Sequence, residues 1–113
     1  MELVNGKIAL SELQKMAEGK FGNLVKAVID VEREVMAVDA ELHADEEAHL
    51  LSRGSKQENL WGINLYPELE GDDFIEFDSV INLRPSFGNN SRGVDDPKTR
   101  EKIAKAVSKL VER

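Results

Sequence analysis

Read from the N-terminus, the chain changes its hydrophobic period several times, and each change marks an element. Leu10, Leu13, Met16 and Ala17 recur at three- and four-residue steps, and Ser11-Glu12-Leu13-Gln14 has capping-box spacing. A short helix is therefore predicted from Ser11, with Gly19 and Gly22 as places to stop. From Leu24 the period shortens to two: Val25, Ala27, Ile29 and Val31 share one face and are mostly β-branched, the signature of a half-buried strand. Val35 to Val38 reads as its antiparallel partner across Glu32-Arg33-Glu34, which is a poor two-residue turn and calls for a longer or bulged connection.

Leu42 to Arg53, rich in Glu, Ala and Leu, predicts a second helix, with Asp39 or Glu41 favouring its start and Gly54 its left-handed stop. Leu60 to Pro67 then alternates cleanly, Gly71-Asp72 favours a turn, and Asp73 to Arg84 alternates again, forming the clearest hairpin in the chain. Pro85 to Gly93, with its Ser, Gly and Asn, reads as a loop. The last helix has Asp96 as cap, Pro97 at its first position, and Ile103, Ala106, Val107, Leu110 and Val111 on one side.

The order α-β-β-α-β-β-α predicts one α+β domain over residues 1–113, a four-stranded, mainly antiparallel sheet packed with three helices. If Asn64 pairs with Glu76, strand parity puts Trp61, Ile63, Leu65, Ile75, Phe77, Ile81 and Leu83 on the core side. Asn64, Tyr66, Glu76, Asp78, Asn82 and Arg84 then share the opposite face, where Gly62 leaves a notch in the side-chain row.

Composition narrows the chemistry. Apolar residues make up 41% and charged residues 33%, a globular balance, and no cysteine is present, which removes disulfides, thiolate metal sites and cysteine nucleophiles. Glu2, Asn5 and Lys7 break up the apolar residues of Met1 to Leu10, and no apolar run is long enough for a signal peptide or a bilayer span. A cytoplasmic protein with no membrane contact is expected. The net charge of −7 disfavours nucleic acid on average, yet residues 82–113 carry eight of the fifteen Lys and Arg, so the basic C-terminal helix keeps a weak nucleic-acid reading open.

Candidate chemistry gathers in two places. The polar sheet face leads through Arg84 into a loop holding Ser86, Asn89, Asn90, Ser91 and Arg92, whose N–H groups, hydroxyls and guanidinium could take a small anion, although the loop lacks the Lys and Gly spacing of a phosphate loop. His43 and His49, each four residues from an acid, could orient a base. They lack the spacing of a two-histidine metalloprotease site, so no metal site is assigned. Ser55 and Ser79 offer hydroxyls that no spacing ties to a base. His43 and Glu76 are the candidates for acid or base work, and the ligand-binding candidates are Asn64, Tyr66, Asp78, Asn82, Arg84, Ser86, Asn89, Asn90, Ser91 and Arg92. No cofactor follows from these residues.

Several segments together, Glu41-Leu42-His43-Ala44-Asp45-Glu46-Glu47, Leu60-Trp61-Gly62-Ile63-Asn64-Leu65-Tyr66-Pro67, Ile75-Glu76-Phe77-Asp78-Ser79, Ile81-Asn82-Leu83-Arg84-Pro85 and Gly88-Asn89-Asn90-Ser91-Arg92, resemble a small prokaryotic family of unassigned function. The resemblance runs nearly the whole chain and implies a stand-alone bacterial or archaeal cytoplasmic protein, with no activity, substrate or catalytic residue attached. The leading expectation is a non-enzymatic binding or interaction module that forms a homo-oligomer. Its basis is that the first hairpin has apolar residues on both faces, Val28, Met36 and Val38 as well as Val25, Ala27, Ile29 and Val35. The competing expectation is an enzyme acting on a phosphorylated or carboxylated small molecule held by Arg84 and Arg92.

Overall fold

A computed structural model describes residues 1–113. The strands are β1 (Glu2–Val4), β2 (Ile8–Ala9), β3 (Val25–Asp30), β4 (Val35–Val38), β5 (Leu60–Leu65), β6 (Ile75–Glu76) and β7 (Val111–Glu112), and the helices are α1 (Leu10–Gly19), α2 (His43–Ser52) and α3 (Pro97–Leu110). The architecture is α+β, with a five-stranded antiparallel sheet ordered β1-β4-β3-β5-β6 and a small parallel pair, β2 with β7.

Two features correct the four-stranded expectation. Glu2–Val4 adds an edge strand against β4, with Leu3 opposite Ala37, and Ile8–Ala9 lies beside Val111–Glu112, where α3 gives way to extended chain. These segments are three and two residues long, too short for alternation to declare them. Ser11 does not cap α1 either: the cap position is Ala9, which makes no side-chain cap bond, and Ser11 lies inside the helix.

The first hairpin turns through Val31–Glu34, with Glu34 left-handed at φ 55°. Asp30 builds the turn, its Oδ1 accepting the N–H groups of Glu32 and Arg33 at 2.9 and 3.0 Å. In the second hairpin Asn64 lies opposite Glu76, the register that alternation predicts. There β6 ends. Instead of a strand to Arg84, the chain coils through short 3-10 turns at Val80–Asn82 and Pro85–Phe87.

The side chains of that coil complete the ladder the strand abandons. The Asn82 amide accepts from the Gly62 N–H at 2.8 Å and donates to the Gly62 carbonyl at 2.9 Å, standing in for a neighbouring peptide group, and Arg84 donates to the Leu60 carbonyl at 2.8 Å. β5 thus keeps its outer polar groups paired although β6 has only two residues.

The sheet is covered on both faces. Val25, Ala27, Ile29, Met36, Val38, Ile63 and Leu65 join α1 and α3 in the main core, while Val28, Ala37, Leu60 and Leu50 of α2 form a smaller cluster on the other face. Ile81 packs with that second cluster and Leu83 is exposed, which corrects their placement with the main core: the strand that would have fixed their parity is absent. α3 begins as its sequence predicts, Asp96 accepting from the Lys98 N–H and Pro97 in the first turn. No helix is long and apolar enough to cross a membrane.

Candidate functional site

α2 lies over the second sheet face, and its first turn meets the polar end of that face. Register puts Lys26 of β3, Asn64 of β5 and Glu76 of β6 in one row across three strands. His43, the first residue of α2, reaches the same row: Nε2 lies 2.8 Å from the Ile63 carbonyl oxygen. A carbonyl can only accept, so the neutral ring carries its proton on Nε2 and presents Nδ1 as a lone pair. Burial holds the His43 pKa below its ordinary value; the Ile63 carbonyl raises it, Lys26 lowers it, and Asp78 and Asn64 raise it.

Asn64 and Glu76 form the fixed part of the site. The Asn64 amide nitrogen donates to Glu76 Oε1 at 2.8 Å and to the Asp78 carbonyl at 3.4 Å, and the Tyr66 hydroxyl donates to the same Glu76 oxygen at 3.0 Å. Burial, followed by the bond to Glu76, raises the Tyr66 pKa. Asn64 is 7% exposed, yet its Oδ1 has no donor. A buried acceptor without a partner costs about 1–3 kcal/mol, and the neighbour placed to relieve it is the His43 ring, whose pKa a hydrogen bond to the Asn64 side chain raises.

Beside His43 a cleft of about 190 Å³ opens between α2 and the 79–81 turn, walled by Leu42, Ala44, Val80 and Ile81 and flanked by Lys26 and Arg92. Lys26 makes no ion pair; its ammonium lies 5.1 Å from the centre of the Phe21 ring. Arg92 gives Nε to Asp78 at 2.9 Å and leaves its terminal nitrogens without a protein acceptor. The notch expected at Gly62 is filled, because Ser79 packs over it: a Cβ on Gly62 would lie 2.5 Å from Ser79 Cβ.

The sequence-derived candidates separate into two groups. His43 and Arg92 line the cleft, and Asn64, Tyr66, Glu76 and Asp78 form a hydrogen-bonded polar cluster next to it, Asn64 and Tyr66 on Glu76 and Asp78 on Arg92. Asn82, Arg84 and Asn89 are buried and turn inward to backbone carbonyls, which corrects the expected place of Asn82 and Arg84 on the open polar face and of Asn89 in an open anion-binding loop. Arg84 also stacks on Trp61, its guanidinium carbon 4.4 Å from the ring centre, and burial lowers its pKa. Asn89 donates to the carbonyls of Asn82, Ser91 and Gly93 and accepts from the Asp95 N–H. Asn90 N–H and the Ser91 hydroxyl both donate to the Asp95 carboxylate, so the chain's own acid occupies the anion position of the loop. Those bonds hold the Asp95 pKa below its ordinary value. Ser86 is exposed in the Pro85–Phe87 turn.

Three residues carry more than the sequence reading gave them. Lys26 stands in the polar phase of an alternating strand, a detectable signal. Glu46 follows His43 by one turn on the inward side of α2 and is fully buried; Oε2 accepts from the Ala40 N–H at 3.0 Å and Oε1 has no partner. Burial pushes its pKa up to about 9, so it is protonated at neutral pH. Asp30, also fully buried, accepts the Ser55 hydroxyl at 2.6 Å, a contact across 25 residues that no local spacing announces. No three His, Asp or Glu side chains converge as a metal site would require.

Comparison with known proteins gives one family match, over residues 2–110, to a family described as Protein of unknown function (DUF5674). No curated protein and no solved structure matches the chain.

Proposed function

We propose that this chain, which belongs to the DUF5674 family, is a binding module that holds a small amphipathic oxyanion in the His43 cleft. The observation that carries the reading is the cleft's own lining, in which an apolar wall and the His43 ring, its pKa lowered by burial, meet two cations, Lys26 and Arg92. His43 Nδ1 asks for a donor, Lys26 and Arg92 ask for negative charge, and Leu42, Val80 and Ile81 supply an apolar wall. A hydroxy acid or a phosphate monoester with an apolar body and one hydroxyl or amide donor meets all three demands.

The test is a thermal-shift panel of hydroxy acids and phosphate monoesters. A ligand at about a hundred times its Kd stabilises by about 2.7 kcal/mol, which moves the Tm by several degrees. Lys26→Ala and Arg92→Ala are expected to abolish the shift. A panel without any shift, or shifts indifferent to Lys26→Ala, would remove the reading. If a ligand that binds is also consumed, and His43→Asn stops its consumption while binding persists, the site is catalytic and His43 is its base.

A second reading, self-association, rests on a different observation. Leu42, Val80, Leu83 and Phe87 are large apolar side chains left exposed around the 79–87 coil and the start of α2. Light scattering over a concentration series tests it.

A further inference from the structure

α2 covers only part of the second sheet face, and at the end opposite His43 it leaves another opening. There a cleft of about 320 Å³, at the small end of ligand pockets, which run from about 300 to 1,000 Å³, has Leu3, Val35 and Leu50 as its floor and Asn5, Arg33 and Arg53 around it. The geometry points to this cleft as a second binding site, for a short aliphatic carboxylate whose chain lies on Leu3, Val35 and Leu50 and whose head is held between Arg33 and Arg53.

The charge is unmatched. Neither guanidinium has a carboxylate within ion-pair distance, although the chain holds 22 Asp and Glu against 15 Lys and Arg. One of the two is also held in place. Arg33 donates through one terminal nitrogen to the Arg53 carbonyl at 3.0 Å and to the Ser55 hydroxyl at 3.4 Å, and Ser55 is fixed in turn by the buried Asp30 carboxylate at 2.6 Å. That leaves the other terminal nitrogen and Nε of Arg33 uncommitted, and the Arg53 side chain makes no protein hydrogen bond. A guanidinium held by such supports keeps its fork ready for a planar carboxylate at little entropic cost.

An aliphatic body is required because Leu3 and Val35 are only half-buried above the closed cluster of Val28, Ala37, Leu50 and Leu60. β1 is the sheet edge there, so nothing beyond it in the sheet covers them. A carboxylate without an aliphatic tail would use the arginines alone, and an aliphatic amine would meet like charge.

The test is titration of the isotopically labelled full chain with octanoate, acetate and octylamine, followed by amide and arginine side-chain NMR shifts. Octanoate is expected to give saturable shifts at Leu3, Val35, Leu50, Arg33 and Arg53, acetate much weaker ones at the arginines, and octylamine none. Arg53→Gln should weaken octanoate at least about tenfold. Arg33→Lys, which keeps the charge and loses the fork, should give an intermediate loss. Lys105→Gln makes the same charge change on α3 and should leave the affinity unaltered. The proposal fails if octanoate gives no saturable shift at these residues, if its shifts map to the His43 cleft instead, if octylamine binds equally well, or if Arg53→Gln and Lys105→Gln have equal effects.

Discussion

Glu46 shows what one side chain can impose on a fold. Its carboxyl is fully buried, one oxygen has a single backbone donor and the other has none, so the charged form is expensive and the proton stays on until about pH 9. In the unfolded chain the same group loses its proton near 4.5. The folded state therefore holds a proton that the unfolded state has released throughout that window, and stability falls as pH rises through it. The local slope approaches about 1.4 kcal/mol per pH unit. His43 acts with the opposite sign: its pKa is lowered in the fold, so its contribution is complete above 6.5 and is lost as pH falls below that value. Glu46→Gln keeps the shape and an acceptor for the Ala40 N–H but has no proton to lose. Chemical denaturation at pH 5 and pH 8 is expected to show wild type losing stability toward pH 8 and Glu46→Gln losing much less. Parallel pH profiles would refute the assignment of a buried neutral acid. The sequence did contain the clue, since 3.6-residue periodicity puts Glu46 on the same side of α2 as His43 and Leu50, and all three are buried.

At the scale of elements, the joint between β5 and the 79–82 turn decides the shape of the site. Gly62 and Ser79 approach so closely that no side chain fits between them, with Ser79 Cβ and Oγ at 2.5 and 2.6 Å from where a Cβ would stand. Gly62→Ala is expected to cost about 2 kcal/mol, a typical overpacking cost, and to push the turn away from the His43 cleft. Ser79→Gly removes both clashing atoms, so the same Gly62→Ala change made in that background should cost less than half as much. A double-mutant cycle by denaturant titration measures the difference, and additive losses would show that the contact is not the cause. Here the sequence was legible up to Glu76 and not beyond. Alternation located β5 and its register with β6, because side chains there obey a period of two. After Glu76 the apolar positions continue to alternate, but the chain satisfies β5 through the Asn82 amide and the Arg84 guanidinium instead of a third ladder strand. A side chain imitating a peptide group leaves no periodic trace, which is why Ile81, Leu83, Asn82 and Arg84 were assigned the wrong surroundings.

For the whole molecule, legibility followed the range of the interactions. Capping of α3, the left-handed stop at Gly54 and the turn of the first hairpin are local, and each has a local signal. The 320 Å³ cleft at Arg33 and Arg53 joins β1, β4 and α2, so no spacing along the chain foretells it. The same holds for self-association. The first hairpin, whose two apolar faces suggested a partner, is covered within one chain by α2 on one side and by α1 and α3 on the other, and Val28, Ala27, Ile29, Met36 and Val38 are fully buried. The apolar surface that does remain is elsewhere: Val80 is 65% exposed, Leu42 58%, Phe87 54% and Leu83 50%. A net charge of −7 opposes pairing of two copies through this surface at low ionic strength, and salt screens that repulsion over a Debye length of about 8 Å at physiological concentration. If the surface joins two copies, light scattering at high micromolar protein should show a mass rising with concentration above 12.6 kDa, and rising further with added salt. Val80→Asp combined with Phe87→Ser should return the mass to that of one chain without lowering the Tm, because both side chains project outward. A wild-type chain that stays at the monomer mass across the series, in low and high salt alike, would remove self-association as the use of this surface, and the wall that Leu42 and Val80 provide for the His43 cleft would then be the role of those two.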